Sequence, residues 1–305
     1  MKFATVEEPG GAVRCGVVED GMLLRLPAGT TVLELIRAGA LHEAGARARA
    51  IGDAVPLTGR RLLPPLEPPS VRDFVAFEEH VEGMVVPGAV PPEWYEAPTF
   101  YFTNPVALIG AHDDVPIPPG SRLFDFELEV AAVLGPDAIC GYTILNDWSA
   151  RDLQRREMKV NLGPAKGKDS ATTLGPWLVT ADELEPCRDA DGFLALDMRV
   201  AVNGERIGQD LLSNMGWPFE ELAAYAGRGT RLRAGDVLGS GTCGNGGCLA
   251  ELWGRRGRQD PPPLRSGDVV EMTVEGIGTI RNTVVPGVEL PPIRPARPRP
   301  RRRSR

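Results

Sequence analysis

Three carboxylates on one strand face are where the chemistry of this sequence gathers. Residues Phe124-Asp125-Phe126-Glu127-Leu128-Glu129-Val130 alternate apolar and acidic without a break. Period-2 alternation predicts a half-buried strand with Phe124, Phe126, Leu128 and Val130 directed into a core. Asp125, Glu127 and Glu129 then share the other face, about 6–7 Å apart along two strand rises. A solvated acidic strand is the alternative, although solvated faces usually mix signs because like charges repel. Oxygen ligands with no basic residue among them favour a hard divalent cation: Mg2+, Mn2+ or Ca2+.

Further groups flank this strand. Asn146-Asp147-Trp148-Ser149-Ala150-Arg151-Asp152-Leu153-Gln154 follows an expected strand over 141–145 and reads as a helix opening. Asp147, Arg151 and Gln154 stand at i, i+4 and i+7, on one helical face, with a plain Asp147–Arg151 helical ion pair as the alternative. Gly163-Pro164-Ala165-Lys166-Gly167-Lys168-Asp169 is rich in glycine and lysine but is not a phosphate-binding loop. Only three residues separate Gly163 from Gly167, and Asp169 stands where a Ser or Thr is required. Upstream, helical spacing across 71–84 puts Asp73, Phe77 and His80 on one side. Among three histidines His80 is the best general-base candidate, because a nearby carboxylate can orient an imidazole; a surface histidine is the bland alternative. Leu249-Ala250-Glu251-Leu252-Trp253 reads as an apolar strand carrying Glu251, a setting that raises carboxylate basicity.

The elements that must position these residues read as α+β, mainly β. Residues 1–55 suggest a small unit with strands near 2–6, 14–18 and 22–26 and a helical run over 31–50, weakened by Gly39 and Gly45. The proline-rich stretch 56–69 marks a boundary, giving an N-terminal domain over 1–66 and a main domain over 67–288. Residues 85–97 read as an irregular loop. From 100 to 287 turn signals recur at short intervals. Asn203-Gly204 predicts a hairpin, 217–225 a helix, and 269–274 with 279–285 the closing strands. Gly239-Ser240-Gly241-Thr242-Cys243-Gly244 matches a dinucleotide fingerprint by letter. It lacks the following helix, so its glycines point instead to close backbone approach.

Composition narrows the partners. The 305 residues are 42% hydrophobic and 25% charged, enough for a substantial core. Seven of the 34 basic residues fall in 294–305, leaving 27 basic against 41 acidic residues elsewhere, a net charge of −14. An acidic body does not attract nucleic acid, and the Pro/Arg-rich stretch 289–305 is expected to be disordered. No apolar run reaches the roughly 18 residues of a membrane span, and the N-terminus has no signal-peptide pattern, so a cytoplasmic protein is expected. Five scattered cysteines read as reduced thiols, and the lone Cys243-x4-Cys248 pair does not make a zinc site.

Taken together, these stretches resemble the fumarylacetoacetate hydrolase family. The matching pieces are Asp73-Phe74 with His80, Phe126-Glu127-Leu128-Glu129, Asn146 through Gln154, Gly167-Lys168 with Thr172-Thr173 and Pro176-Trp177, Gly239-Ser240-Gly241-Thr242, and Glu251-Leu252. They cover roughly 71–287 in the family's order. The resemblance implies a mixed β-roll catalytic domain behind a small N-terminal domain, assembled as a homodimer. It also implies metal ligands Asp73, Glu127, Glu129 and Asp147, holding Mg2+ (or Ca2+ or Mn2+), with Asp125 left out. His80 with Glu251 would activate water, and Lys168 with Gln154 would stabilise enolate charge. Tyr101, Arg151, Gln154, Thr172 and Thr242 would contact substrate. The implied reaction is hydrolysis of a C–C bond in a 2,4-dioxo acid, an acylpyruvate or fumarylacetoacetate-like compound. Isomerase, decarboxylase or hydratase chemistry on a 2-oxo acid is the alternative. Two departures bear on the substrate. Val75 stands where fumarylacetoacetases carry a tyrosine, and residues 81–92 lack their arginine. Both of those residues grip a substrate carboxylate.

Overall fold

The computed structural model describes residues 1–84 and 90–298. Its largest element is a 12-stranded mixed sheet. From one edge it runs Ala54–Pro56, Met22–Arg25, Val13–Glu19, Lys2–Glu7, Thr172–Thr180, Ile139–Asp147, Leu128–Leu134, Val237–Gly239, Val71–Phe74 and Phe100–Thr103. Arg61–Leu63 adds to Lys2–Glu7, and Leu108–Ile109 adds in parallel to Thr172–Thr180. A five-stranded sheet packs nearby, built from Glu205–Leu211, Asp197–Val202, Val269–Val274, Gly278–Val285 and Val115–Pro116. The mainly β reading, with mixed sheets, stands.

All seven residues of Leu128–Leu134 are buried, because this strand lies between two others and is covered on both faces. The alternation that suggested one wet face therefore has a different cause. Asp125, Glu127 and Glu129 are buried as deeply as their apolar neighbours. The strand also does not run unbroken from 124. Phe124–Asp125 pairs with Ser149–Ala150 in a separate two-stranded ribbon, and regular pairing resumes only at Leu128. Phe124 stacks on the fully buried Trp148 at 5.5 Å between ring centroids.

Three other expectations are corrected. Asp73 lies on the strand Val71–Phe74, whereas His80 lies on the helix Glu78–Met84, so no single helix carries both. Asp147 ends the strand Ile139–Asp147, and the helix begins only at Arg151. Leu249–Arg256 is a helix, not a strand. The helical run after Thr31 divides into Val32–Arg37 and Leu41–Ile51, with Gly39 at φ +64° turning the chain between them. The Asn203-Gly204 hairpin forms with both residues at positive φ, and the expected helix near 217–225 is Phe219–Ala226. Of the irregular loop over 85–97, residues 85–89 lie outside the described residues, and Pro92–Tyr95 forms a 3-10 turn. Residues 286–298 carry no helix or strand, and the rest of the C-terminal stretch lies outside the described residues.

Candidate active site

Neighbouring strands of the large sheet bring four carboxylates to one point. Asp73 sits opposite Gly239 in the parallel pairing of Val71–Phe74 with Val237–Gly239. Glu129 enters from Leu128–Leu134, the next strand. Glu127 immediately precedes that strand, its backbone N–H donating to Asn146 Oδ1 at 3.0 Å. Asp147 comes from the far end of Ile139–Asp147 and is paired with Thr172. Each of the four offers an oxygen within 4.8 Å of the others.

This cluster is short of partners. Asp73 Oδ1, both oxygens of Glu129 and Asp147 Oδ1 are buried without a hydrogen bond. Burial, then the Asp147 charge, pushes the Asp73 carboxyl well above the ordinary carboxylate range. Burial, then Asp73, does the same to Glu129. Burial also raises Asp147, although Lys168 opposes it. Glu127 differs: burial pushes it up, but Arg151 and Lys168 more than offset that and hold it ionised. Gly239 forms the floor, and a Cβ there would lie 2.8 Å from both Asp73 Oδ1 and Glu129 Oε2. Orphaned, mutually repelling carboxylates over a glycine floor fit an all-oxygen divalent cation site.

Cationic and hydroxyl side chains rim the cluster. Lys168 is buried and its ammonium donates to both Glu127 and Asp147. Burial disfavours its charge, but Asp147 and Glu127 outweigh that and keep it protonated. Gly167 lets its loop close onto the helix Arg151–Met158, since a Cβ there would meet Gln154 at 2.7 Å. Tyr101 donates its hydroxyl to Asp147 Oδ2 at 2.7 Å, and burial followed by the Asp147 charge pushes its phenol up. Arg151 pairs with Glu127 at 2.8 Å and donates from Nη1 to Gln154 Oε1 at 3.2 Å. The alternative, a plain Asp147–Arg151 helical ion pair, does not form, because the two residues belong to different elements. Thr172 is fully buried with its hydroxyl unpartnered, and Thr242 is buried beside Gly241.

The base candidate is built by two helices crossing at glycines. A Cβ on Gly254 would stand 1.9 Å from the Gly83 carbonyl oxygen, and one on Gly83 would stand 2.3 Å from Glu251 Cγ. Only glycine at both positions allows Glu78–Met84 and Leu249–Arg256 to approach closely enough for His80 to face Glu251. His80 Nδ1 lies 3.8 Å from Glu251 Oε2, and Glu251 Oε1 is held by Arg255 at 3.0 Å.

Sequence reasoning named Asp125 and Cys248 but missed their roles. Asp125 is no member of the carboxylate cluster; it accepts from the backbone of Leu249 and Ala250 at 2.8 and 2.9 Å and from Arg151 Nε at 2.8 Å. It thereby ties the start of the Glu251 helix to the Arg151 guanidinium. Cys248 caps that helix, accepting from Glu251 N at 3.4 Å, and its Sγ lies 3.9 Å from His80 Nδ1. Its place three residues before Glu251 is the spacing of a helix cap, a signal hidden once the segment was read as a strand.

Known proteins share this architecture. The fumarylacetoacetase of Arabidopsis thaliana is 31% identical over 241 residues, 59% of this chain and 57% of that protein. The chain thus spans a little over half the length of that relative. The oxaloacetate tautomerase YisK of Bacillus subtilis is 31% identical over 207 residues, 62% of each chain. The solved fumarylacetoacetate hydrolase of Exiguobacterium antarcticum superposes with a TM-score of 0.74 at 26% identity, covering 94% of this chain and 99% of that one. Relatives of this chain therefore include both a hydrolase and a tautomerase. Residues 70–285 match the family described as fumarylacetoacetate (FAA) hydrolase C-terminal. That match covers well over half of the sequence, and the chain belongs to the fumarylacetoacetate hydrolase family.

Proposed function

We propose that this protein hydrolyses a carbon–carbon bond in a 2,4-dioxo acid of the acylpyruvate or fumarylacetoacetate type. The observation that carries the reading is the His80–Glu251 pair set against the carboxylate cluster, with Glu127 reaching both. Asp73, Glu127, Glu129 and Asp147 would hold the divalent ion, for which Mg2+ is the first choice and Ca2+ or Mn2+ the alternatives. When bound, such an ion supplies Lewis acidity and fixes the orientation of a chelating dioxo acid.

The chain's own groups account for the remaining steps. With Nδ1 of His80 turned to Glu251, Nε2 is the nitrogen left to take a proton from water, and the buried Glu251 carboxylate steadies the imidazolium that results. The water oxygen adds to the distal carbonyl, and the bond to the pyruvate unit breaks. Its electron pair passes into an enolate beside the Lys168 ammonium, which is already in place to offset that charge. Arg151, Gln154, Tyr101, Thr172 and Thr242 supply donors for substrate oxygens. Val75, and the absence of arginine over 81–92, favour an acylpyruvate without a second carboxylate.

Tautomerisation of a 2-oxo acid is the second reading, favoured by the Bacillus subtilis relative. It needs no attacking water and uses the same cluster with Tyr101 or Lys168 handling the proton. Cation-stripped and Mg2+-loaded protein should be offered acetylpyruvate, fumarylpyruvate, fumarylacetoacetate and oxaloacetate, with loss of enol absorbance followed and products identified. Pyruvate or acetoacetate formed with the free acyl acid, only in the loaded protein and not in Glu127→Ala, supports hydrolysis. Enol–keto exchange of oxaloacetate without cleavage of any diketone replaces it with the tautomerase. A homodimer belongs to the same proposal, checked by light scattering against the chain mass of 32.8 kDa.

A further inference from the structure

Beside the all-oxygen cluster lies a second set of donors with different chemistry. His80, Cys248 and Glu127 each present a ligand atom within 4.8 Å of the other two, and all three side chains are buried. The 3.8 Å between His80 Nδ1 and Glu251 Oε2 is longer than a hydrogen bond. Glu251 is fully buried, and its Oε2 has no partner. An imidazole thus lies close to a thiol sulfur and two carboxylates, all buried, with one carboxylate oxygen unsatisfied. Mg2+-like ions prefer oxygen alone, whereas mixed nitrogen, sulfur and oxygen donors select a borderline-soft ion, most typically tetrahedral Zn2+.

We propose that His80, Cys248 and Glu127, with Glu251 Oε2 in the fourth position, form an inhibitory site for a thiophilic divalent cation such as Zn2+ or Cd2+. The site adjoins the oxygen cluster and shares Glu127 with it. Binding sends the Cys248 thiol proton to solvent and takes His80 Nδ1, the nitrogen that faces Cys248 and Glu251. The ring proton of the neutral imidazole then moves to Nε2, and no lone pair is left there for water. The ion that fills the site thereby removes the base. Burial opposes loss of the thiol proton, which ranks the site below a dedicated structural zinc centre in affinity. Cys243, five residues upstream, is no part of it; the partner of Cys248 is a histidine from another helix.

Occupancy rests on the geometry alone, whereas inhibition rests also on the reading of His80 as the base, so the test separates them. Mg2+-loaded protein is titrated with Cd2+, followed by thiolate-to-cadmium charge-transfer absorption and, separately, by turnover. One equivalent is expected to produce the absorption band and a matching loss of rate. In Cys248→Ser that equivalent of absorption disappears and half-inhibition needs at least about tenfold more Cd2+. Serine keeps a capping side chain at the start of the Glu251 helix, and a melting curve checks that the variant folds. In His80→Asn the affinity read from the band falls by a similar factor. No band in the wild type, or a band unchanged in Cys248→Ser or in His80→Asn, overturns the site. A band that behaves as expected while turnover stays unaffected overturns the inhibition and the role of His80, and leaves the site standing.

Discussion

At the level of single residues, the sharpest consequence of the geometry concerns charge. Asp73 and Glu129 are buried against each other with unpaired oxygens, and both carboxyls are held well above their ordinary range. A carboxyl raised in the folded state stabilises the fold below its unfolded value, and that contribution is lost as pH rises through the folded value. The cation-free protein is therefore expected to lose melting temperature as pH rises above the ordinary carboxylate range, where the Mg2+-loaded protein is protected. The melting-temperature rise on adding Mg2+ should grow with pH; a rise independent of pH would contradict the assignment. Glu129→Gln removes one of the repelling charges. It should raise the melting temperature of the cation-free protein and abolish the Mg2+ response, both read in a thermal shift assay. His80→Ala should leave that response intact while lowering turnover on the order of 10²–10⁴-fold. Near-normal turnover would remove His80 from the chemistry.

At the level of elements, the site depends on close approaches that only glycine permits. Gly83 and Gly254 let the His80 and Glu251 helices touch, and Gly239 opens the floor beneath Asp73 and Glu129. Gly83→Ala drives a methyl group into the Glu251 side chain. Overpacking of this kind costs about 1–3 kcal/mol. The expected outcome is a lowered melting temperature together with a larger proportional loss in kcat than in Mg2+ affinity, since the dyad moves and the cluster does not. Gly239→Ala should do the reverse, weakening Mg2+ binding most, as read by calorimetry. The sequence marked 239–244 as a place of close backbone approach, and that much was legible. It could not mark Gly83 and Gly254, because each is an unremarkable glycine in its own helix and acquires meaning only from the other. The helix Leu249–Arg256 was misread for a related reason. Five apolar-rich residues fit strand or helix equally well, and the buried Asp125 that accepts its first N–H groups lies more than a hundred residues upstream.

At the level of the whole molecule, the strand Lys2–Glu7 hydrogen-bonds to Thr172–Thr180, which in turn pairs with the strand carrying Asp147. Residues 1–66 thus extend the same sheet on which the site is built. Phe3 is fully buried at that junction. Phe3→Ala is expected to cost about 3–5 kcal/mol, and calorimetry should record a single unfolding transition that moves as one. Two transitions, with only the first displaced, would mean that the N-terminal segment unfolds independently. Among the described residues no helix is long and apolar enough to cross a membrane.

The sequence by itself determined which residue types are available and, through alternation and spacing, singled out Glu127, Glu129, Asp147, Arg151, Gln154 and His80 as candidates. Local periodicity and side-chain chemistry suffice for that, because both are properties of neighbours along the chain. It also determined the mainly β class, whose turn signals are local. Tertiary structure alone decided that the acidic face is buried rather than wet, because burial depends on which strands flank Leu128–Leu134. It decided as well that Asp125 serves a helix and an arginine while Glu127 and Glu129 join the carboxylate cluster, since the strand breaks at 126–127, between the two-stranded ribbon and the large sheet. And it brought Cys248 beside His80: the two stand 168 positions apart, and no pattern within either segment encodes a contact made by packing two helices together.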